Sequence, residues 1–285
     1  MNPTRTLRKL LDQPGLIQVP TCHDALSAKL IERAGFSAAF MGGFAVSASR
    51  LGLPDTGLIS YAEMVDQGRN ICSAVSIPVI GDGDTGYGNA LNVKRTVRGY
   101  ARAGFACIMI EDQVSPKRCG HTQGKQTVPR DEALMRVRAA LDARDEGADI
   151  LVMARTDAAG TEGLDEAIQR AQAFADMGAD ITFLEAPRNE AEMRTYCEEV
   201  PGPKMANMLE QGVTPVLSPA ALQEMGYKIA AYPLSLMSAA IHAMEQTLTA
   251  LRNGTTPMEN VSFDHIRDIV GFPEYDAGED KYRVT

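Results

Sequence analysis

One phrase recurs along the chain, a helical stretch that ends in glycine and is followed at once by a short apolar run. It occurs as ERAGFSAAFMGG, ARAGFACIMIED, DEGADILVMART, DMGADITFLEAP and EMGYKIAAYP, with the glycines at Gly35, Gly104, Gly147, Gly178 and Gly226. Glycine adopts the left-handed conformation that ends many helices. A short run that is apolar throughout is typical of a parallel strand covered on both faces. The repetition therefore predicts a chain built from strand–helix units.

The number of apolar runs limits the architecture. Eight runs span 17–21, 38–43, 78–84, 106–112, 150–156, 181–187, 203–209 and 227–233. Helical patterns lie between them, among them Asp24–Ala34, Leu91–Ala103, Arg130–Glu146, Leu164–Met177 and Glu190–Glu199. Eight strands alternating with helices over roughly 250 residues predict an α/β fold of the (β/α)₈ TIM barrel type. A doubly wound open sheet is the alternative, but it needs a glycine-rich loop after the first strand, where this chain has Cys22-His23-Asp24.

The eight units account for only part of the chain. We predict a barrel over residues 1–254 and a helical extension over residues 255–285. The extension has apolar residues at helical spacing, namely Phe263, Ile266, Ile269 and Val270. A single apolar stripe needs a surface to cover it, so the extension is expected to pack on the barrel or on a partner subunit.

Composition excludes several classes of partner. The 285 residues carry a net charge of -9, which argues against nucleic acid or an anionic membrane surface, because both require a basic face. No apolar run reaches the roughly 18 residues of a membrane span, and no signal segment opens the chain. The five cysteines are odd in number and scattered. This pattern is typical of reduced thiols in a cytoplasmic protein.

Acidic residues lie at the ends of two neighbouring runs. The carboxyl ends of barrel strands form the active site in such a fold, and here the third run ends with Asp82 and Asp84 and the fourth contains Glu111 near its end. Carboxylate oxygens without a histidine cluster favour Mg²⁺ over zinc. Asp-Gly-Asp is also a common turn, but its place at a strand end beside Glu111 favours a metal site.

Other strand ends offer groups that bind anions. Arg155 lies at the end of the fifth run. Its guanidinium is a candidate clamp for a carboxylate, an ion-pair partner of Glu185 or Asp157, or both together. Glu185 and Asn207 lie near the ends of the sixth and seventh runs, as direct ligands or as residues that orient others. At the end of the second run, Gly42–Gly43 would let backbone N–H groups approach an anion closely.

A basic loop follows the fourth run and reads Lys117-Arg118-Cys119-Gly120-His121. A thiol beside cations loses its proton more readily, so Cys119 is a candidate for proton transfer near neutral pH. Such a loop alone could be a surface loop with an incidental cysteine. The acidic strand ends on the same side of the barrel favour an active site.

Together these motifs resemble the isocitrate lyase/phosphoenolpyruvate mutase superfamily. The resemblance runs in order through MGG, LPDTG, GDGDTGYGN, IEDQ, PKRCGH, ARTDA, LEAP, NMLEQG and YPLS, and the basic loop is similar to that of the branch that cleaves carbon–carbon bonds. It implies a barrel with C-terminal helix swapping and a homotetramer built as a dimer of helix-swapped dimers. It also implies Mg²⁺, with Mn²⁺ as a substitute, and a small 2-oxo or 2-hydroxy dicarboxylate as substrate.

The resemblance further implies a role for individual residues. Asp84 would be the nearest ligand of Mg²⁺, and Asp55, Asp82 and Glu111 would hold the water shell of the ion. The catalytic residues would be Cys119 as general acid, together with His121, Lys117, Arg155 and Glu185. The substrate-binding residues would be Met41, Gly42, Gly43, Gly120, His121, Arg155, Asn207 and Ser238. The initial base stays open between Tyr232, Glu185 and a metal-bound water.

Two departures from the superfamily pattern bear on the substrate. Met41 stands where many members have serine, and Ser238 stands where members that cleave tricarboxylic acids have arginine. A third carboxylate would then be buried without a partner, which is costly. The resemblance therefore favours cleavage of an alkyl-substituted malate, similar to 2,3-dimethylmalate, to a 2-oxo acid such as pyruvate and a carboxylic acid. The alternatives are 2-methylisocitrate cleavage, oxaloacetate hydrolysis or decarboxylation, and phosphonate chemistry.

Overall fold

The structure is a computed structural model that describes residues 2–120, 124–257 and 260–283. The chain divides into two compact units, residues 1–235 and residues 236–285. In the ranges described, no helix combines the length and the apolar character that crossing a membrane requires.

The first unit is a closed barrel of eight parallel strands. Each strand pairs with the next in chain order, and the first pairs with the eighth. The strands are β1 (Ile17–Cys22), β2 (Ala39–Met41), β3 (Val79–Asp82), β4 (Cys107–Glu111), β5 (Leu151–Thr156), β6 (Ile181–Leu184), β7 (Lys204–Asn207) and β8 (Ile229–Tyr232). Seven of them lie within one predicted apolar run, and β1 extends one residue beyond its run, to Cys22, so the predicted (β/α)₈ barrel is confirmed.

Helices alternate with these strands. They are α1 (Pro3–Asp12), α2 (Ala25–Arg33), α3 (Gly43–Val46), α4 (Tyr61–Ala74), α5 (Ala90–Ala103), α6 (Arg130–Asp145), α7 (Ala158–Thr161), α8 (Leu164–Asp176), α9 (Glu190–Glu199) and α10 (Pro219–Met225). The five helices predicted from sequence are present, and no end is shifted by more than one residue. The five glycines predicted to end helices all have φ between +87° and +109°, a conformation that costs glycine little.

The core of the barrel follows from alternation along the strands. Successive side chains of a strand point to opposite faces, so every second residue points inward. The inward residues form a continuous apolar core that includes Val19, Phe40, Ile80, Met109, Met153, Phe183, Met205 and Ala231. Leu7 of α1 is buried in the same core. The residues between them pack against the surrounding helices. The inward row therefore determines which strand-end residues can meet.

The second unit is helical. It contains most of α11 (Ser235–Arg252), α12 (Phe263–Val270) and α13 (Phe272–Tyr282), so the unit begins upstream of residue 254. The amphipathic pattern recognised in the sequence forms α12, which Ser262 caps by accepting a hydrogen bond from the His265 N–H. Among the described apolar residues of this unit, only Met237 and Ile269 are buried.

Candidate active site

The polar residues at the strand ends occupy the inward position above the apolar core. Residues from seven strand ends line one cavity, namely Thr21, Gly42, Asp82, Arg155, Glu185, Asn207 and Pro233. They converge because parallel strands bring all their carboxyl ends to one face of the barrel. Glu111 holds the equivalent position on β4 and contacts Arg155, with 3.3 Å between Oε2 and Nε.

Two further groups of residues line the cavity. Apolar walls come from Phe40, Phe44, Ala45, Met109, Phe183, Met205, Leu209, Ala231 and Leu234. The start of α3 contributes Gly43, and loops contribute Asp55, Lys117, Arg118, Cys119 and Gly120. The structure thus brings together ten residues selected from the sequence, which are Gly42, Gly43, Asp55, Asp82, Lys117, Cys119, Gly120, Arg155, Glu185 and Asn207.

Some selected residues lie elsewhere. We expected Met41 among the substrate-binding residues. Its side chain is instead fully buried in the outer core between the strands and helices, facing away from the cavity. Since Gly42 lines the cavity, the neighbouring Met41 must point the opposite way. Tyr232 likewise lies outside the cavity and donates to Gln18 Oε1 at 3.1 Å. Ser238 is an exposed residue of the second unit, and His121 lies outside the described residues.

Lys117 holds the acidic loops together. Its Nζ lies 2.6 Å from Asp55 Oδ1 and 3.0 Å from Asp84 Oδ1. The Gly43 N–H donates to Asp82 Oδ2 at 3.0 Å, so this N–H serves a carboxylate of the chain and not the substrate anion for which we proposed it. The Asp84 N–H donates to Asp82 Oδ1 at 3.0 Å.

Among the described residues, the centre contains more negative than positive charge. Six of these residues are buried carboxylates, Asp55, Asp82, Asp84, Glu111, Asp157 and Glu185, against three cations with nearly buried side chains, Lys117, Lys125 and Arg155. Burial raises the pKa of Asp84 to about 6, although Lys117 opposes the shift. Burial also raises the pKa of Glu111 well above its usual range, opposed by Arg155. Buried carboxylates in excess favour the uptake of a cation.

The donor set fits Mg²⁺. It consists of carboxylate oxygens, the ligands that this hard ion prefers, and the buried Glu111 Oε1 makes no hydrogen bond. Among the described residues, no three histidine, cysteine or acidic side chains converge closely enough to hold a metal ion. An arrangement with one direct carboxylate and water between the ion and the others is compatible with this spacing, since Mg²⁺ keeps several waters.

Arg155 forms both ion pairs that its position suggested. Its Nε lies 2.8 Å from Asp157 Oδ2, and its Nη2 lies 3.2 Å from Glu185 Oε2. The guanidinium also lies over the ring of Phe183, 5.4 Å from its centre. Asn207 Nδ2 is 3.4 Å from the Glu185 carboxylate oxygens. These contacts orient the guanidinium at the floor of the cavity.

The loop with the thiol has a paired stem. The Val114 N–H donates to Gln126 O at 2.8 Å, and Gln113 and Thr127 form an antiparallel bridge. Cys119 is half-buried at the cavity wall. Gly120 packs so closely on Arg155 and Glu185 that a Cβ there would lie 2.4 Å from Arg155 Nη2.

Three residues with structural roles at this site carried little signal in the sequence. Gln113 and Lys125 contact the main chain beside Cys119, and Asp157 is shared by Arg155 and Lys125. Asp157 was considered only as a partner of Arg155. The available signal for Lys125 was its place at the end of the same basic loop. Thr21 could have been found by counting two positions from Val19 along the inward row of β1.

The barrel and its acidic cavity agree with the result of comparison with known families. A model of the phosphoenolpyruvate phosphomutase family matches residues 7–252. The chain belongs to this family. The match includes all eight strands and every described residue that lines the cavity.

Two relatives cover nearly the whole chain. The 2,3-dimethylmalate lyase of Eubacterium barkeri is 44% identical over 286 aligned positions, which cover 99% of each protein. The 2-methylisocitrate lyase of Bacillus subtilis (strain 168) is 38% identical over 274 positions, covering 95% of this chain and 90% of the relative. The prediction that the chain is an enzyme, a lyase of this superfamily, is confirmed.

Three solved structures have the same fold as this chain. Oxaloacetate acetylhydrolase bound to 3,3-difluorooxalacetate superposes with a TM-score of 0.95 at 33% identity, covering 98% of this chain and 97% of that one. A 2,3-dimethylmalate lyase, described as a PEP mutase/isocitrate lyase superfamily member, gives 0.93 at 36% identity, covering 99% and 95%. A phosphonopyruvate hydrolase with oxalate and Mg²⁺ gives 0.87 at 32% identity, covering 99% of each. The predicted superfamily is confirmed.

Proposed function

We propose that this enzyme is a Mg²⁺-dependent carbon–carbon lyase that acts on a 2-hydroxy dicarboxylic acid. The substrate is an alkyl-substituted malate, similar to 2,3-dimethylmalate, and the products are a 2-oxo acid such as pyruvate and a second carboxylic acid. The observation that carries the proposal is that Cys119 lines the same cavity as Arg155, Glu185 and the acidic residues Asp55 and Asp82. The 44% identity to 2,3-dimethylmalate lyase supports it.

The apolar wall of the cavity favours alkyl groups on the substrate. Phe44, Leu209 and Leu234 line it together with the inward aromatic residues of the strands. The described cations of the lining are Lys117, Arg118 and Arg155, and the first and third already pair with carboxylates of the chain. A third substrate carboxylate would therefore be costly to bury, which supports a dicarboxylate over a tricarboxylate.

Mg²⁺ is the proposed cofactor, and Mn²⁺ is proposed to replace it. Asp84 would hold the ion directly, and Asp55, Asp82 and Glu111 would hold its water shell. When bound, the ion would supply a positive charge that polarises the 2-hydroxyl and the adjacent carboxylate of the substrate. The presence of Mg²⁺ in the phosphonopyruvate hydrolase structure supports this assignment.

The residues of the chain would perform the proton transfers. Arg155 binds the carboxylate of the 2-oxo acid half, and Asn207 with the main chain at Gly120 binds the other carboxylate, with His121 assigned there from the sequence. Glu185, which lines the cavity, removes the proton of the 2-hydroxyl. The bond between C2 and C3 then breaks, and its electron pair forms the enediolate of the departing acid. Cys119 protonates the carbon of that enediolate.

A panel of substrates tests the proposal. We expect 2-oxo acid release from 2,3-dimethylmalate with Mg²⁺, and a lower kcat/KM for 2-methylisocitrate, oxaloacetate and phosphonopyruvate. Chelation of the metal should abolish turnover, and Mn²⁺ should restore it. Preference for 2-methylisocitrate would replace the proposed substrate with a tricarboxylate. Acetate release from oxaloacetate as the main activity would contradict cleavage of a hydroxy acid.

We also propose that the enzyme is a homotetramer, a dimer of helix-swapped dimers, and that it is cytoplasmic. Most apolar side chains described in the second unit are exposed, which supports burial against another subunit. None of the five cysteines forms a disulfide, which supports a reducing compartment. The net charge of -9 supports the expectation that neither nucleic acid nor an anionic membrane surface is a partner.

A further inference from the structure

We propose that Gln113 and Lys125 are positioning residues that fix the main chain on both sides of Cys119, and that Lys125 also fixes Arg155. Gln113 acts on residue 118 and Lys125 acts on residue 120. Their importance for turnover rests on the function proposed above. Their effect on the loop itself can be measured without any substrate.

Gln113 holds the residue before the thiol by two hydrogen bonds. Its Oε1 accepts the Arg118 N–H at 2.9 Å, and its Nε2 donates to the Arg118 carbonyl at 2.8 Å. The side chain is nearly fully buried, and its own carbonyl accepts a hydrogen bond from Arg136 Nη1 at 2.6 Å. A buried amide that satisfies both main-chain groups of one residue restricts that residue strongly.

Lys125 holds the residue after the thiol. Its Nζ donates to the Gly120 carbonyl at 2.6 Å and lies 3.0 Å from Asp157 Oδ1. The side chain is 8% exposed and that of Asp157 is fully buried. Asp157 is itself anchored, since its N–H donates to Asp112 Oδ1 at 2.8 Å. A charge-assisted contact with an anchored carboxylate is stronger than one between neutral groups.

The same carboxylate orients the catalytic guanidinium. Asp157 Oδ1 lies 3.1 Å from Arg155 Nη2, so Lys125 and Arg155 share one oxygen. Gly120 in turn packs on Arg155 and Glu185, because a Cβ there would lie within 2.4–2.6 Å of their side chains. Movement of Gly120 would therefore disturb Arg155 as well as the thiol. Lys125 therefore acts on both the thiol that donates the proton and the guanidinium that binds the substrate carboxylate.

The test compares Lys125→Met with Lys125→Arg and with a matched control. Lys204→Met removes another buried lysine, whose Nζ donates to the carbonyls of Val200 and Gly202 at 2.7 and 2.8 Å, and which does not line the cavity. Gln113→Glu, which keeps the acceptor but loses the donor, and Gln113→Met, which loses both, give a graded second series. Each variant is first checked by thermal unfolding.

Three quantities are measured in the intact enzyme. The first is the rate at which iodoacetamide alkylates Cys119, which peptide mass spectrometry follows. The second is the hydrogen exchange of peptides that span residues 118–120. The third is the steady-state kinetics, given as kcat and KM. In Lys125→Met we expect alkylation and exchange to rise about tenfold, with a similar fall in kcat and a smaller change in KM. Lys125→Arg should recover part of each loss, and Lys204→Met should change only the unfolding temperature. Gln113→Met should raise alkylation and exchange, and lower kcat, more than Gln113→Glu does.

The outcomes separate this proposal from the proposed function. Alkylation and exchange within about twofold of wild type in both Lys125→Met and Gln113→Met would overturn the positioning role. An equal rise in Lys204→Met would also overturn it, because the effect would then follow general stability. If the variants loosen the loop but the wild-type enzyme cleaves no hydroxy acid in the panel, the positioning role stands and the proposed function fails.

Discussion

Cys119 lies beside Gly120, whose backbone packs against Arg155 and Glu185, so the thiol is held near the charged groups of the cavity. We expect Cys119→Ser to lower kcat by about 10²–10⁴-fold, because a hydroxyl is a much weaker acid than a thiol and general acid catalysis typically contributes this much. KM should change far less. Steady-state kinetics with the best substrate of the panel would measure both values.

The control for this substitution is Cys197→Ser. Cys197 is a half-buried thiol that does not line the cavity, so its replacement should leave kcat unchanged. A Cys119→Ser enzyme as fast as wild type would refute the assignment of the acid. A covalent adduct on Cys119 in a quenched reaction would show a nucleophile in place of an acid.

Gly43 illustrates how closely the acidic residues at the end of β3 approach the start of α3. A Cβ at this position would lie 2.9 Å from Asp82 Oδ2 and 3.3 Å from Asp84 Oδ1. We expect Gly43→Ala to push these carboxylates apart and to weaken Mg²⁺ binding about tenfold or more, measured by calorimetry without substrate. Gly278→Ala, where a Cβ meets open space, is the matched control. Unchanged Mg²⁺ affinity in Gly43→Ala would contradict the metal assignment of these two carboxylates.

Helices α6 and α8 are joined behind the cavity by a network of charged side chains. Arg170, which is almost fully buried, contacts Asp112 at 3.0 Å and Glu166 at 2.7 Å. Arg130 of α6 also pairs with Glu166. The Asp112 carboxylate accepts a hydrogen bond from the Asp157 N–H, so the network supports the carboxylate that orients Arg155. Helices α6 and α8 thus help to hold Asp157 and, through it, Arg155 in place.

This network predicts a pH-dependent stability. Hydrogen bonds from Arg130 and Arg170 lower the pKa of Glu166 to about 2, below its value in the unfolded chain. Its stabilisation is therefore present above about pH 4.5 and is lost as the pH falls through about 2. We expect Glu166→Gln to lower the free energy of unfolding by about 1–2 kcal/mol at pH 7. This is the contribution of a charged hydrogen bond, reduced because Glu166 is partly exposed.

Urea unfolding between pH 7 and pH 3 measures the difference between Glu166→Gln and wild type. The difference should narrow as the pH falls below 4.5. Asp165→Asn is the control, because Asp165 is an exposed acid in the same first turn of α8 and shares the helix-dipole contribution. A difference that is constant over this pH range would show that Glu166 contributes through packing alone.

The second unit cannot bury its apolar residues by itself. Leu248, Phe263, Tyr275 and Tyr282 are all more than half exposed, and exposed apolar area of this extent usually marks an interface. We expect the wild-type enzyme to sediment as a tetramer and Phe263→Asp to shift it towards smaller species. Asp264→Asn, a change at the next position that is also exposed, should not alter the mass. A wild-type monomer at micromolar concentration would contradict the proposed assembly.

The barrel and the list of strand-end residues could be derived from the sequence, because helix-ending glycines and continuous apolar runs reflect local conformation and burial. The order of the strands then follows, since parallel neighbours connected by helices close in chain order. The inward row could also be counted along each strand. Met41 was misplaced because a shift of one residue moves a side chain to the other face.

The contacts between distant residues were decided by the tertiary structure. Lys117 pairs with Asp55, 62 positions away, and Lys125 meets Asp157, 32 positions away. No local pattern encodes these distances, because they depend on how the loops fold over the closed barrel. The basic loop therefore predicted cations near a thiol, whereas the fold directs Lys117 to the acidic loops and Lys125 to the main chain beside Cys119.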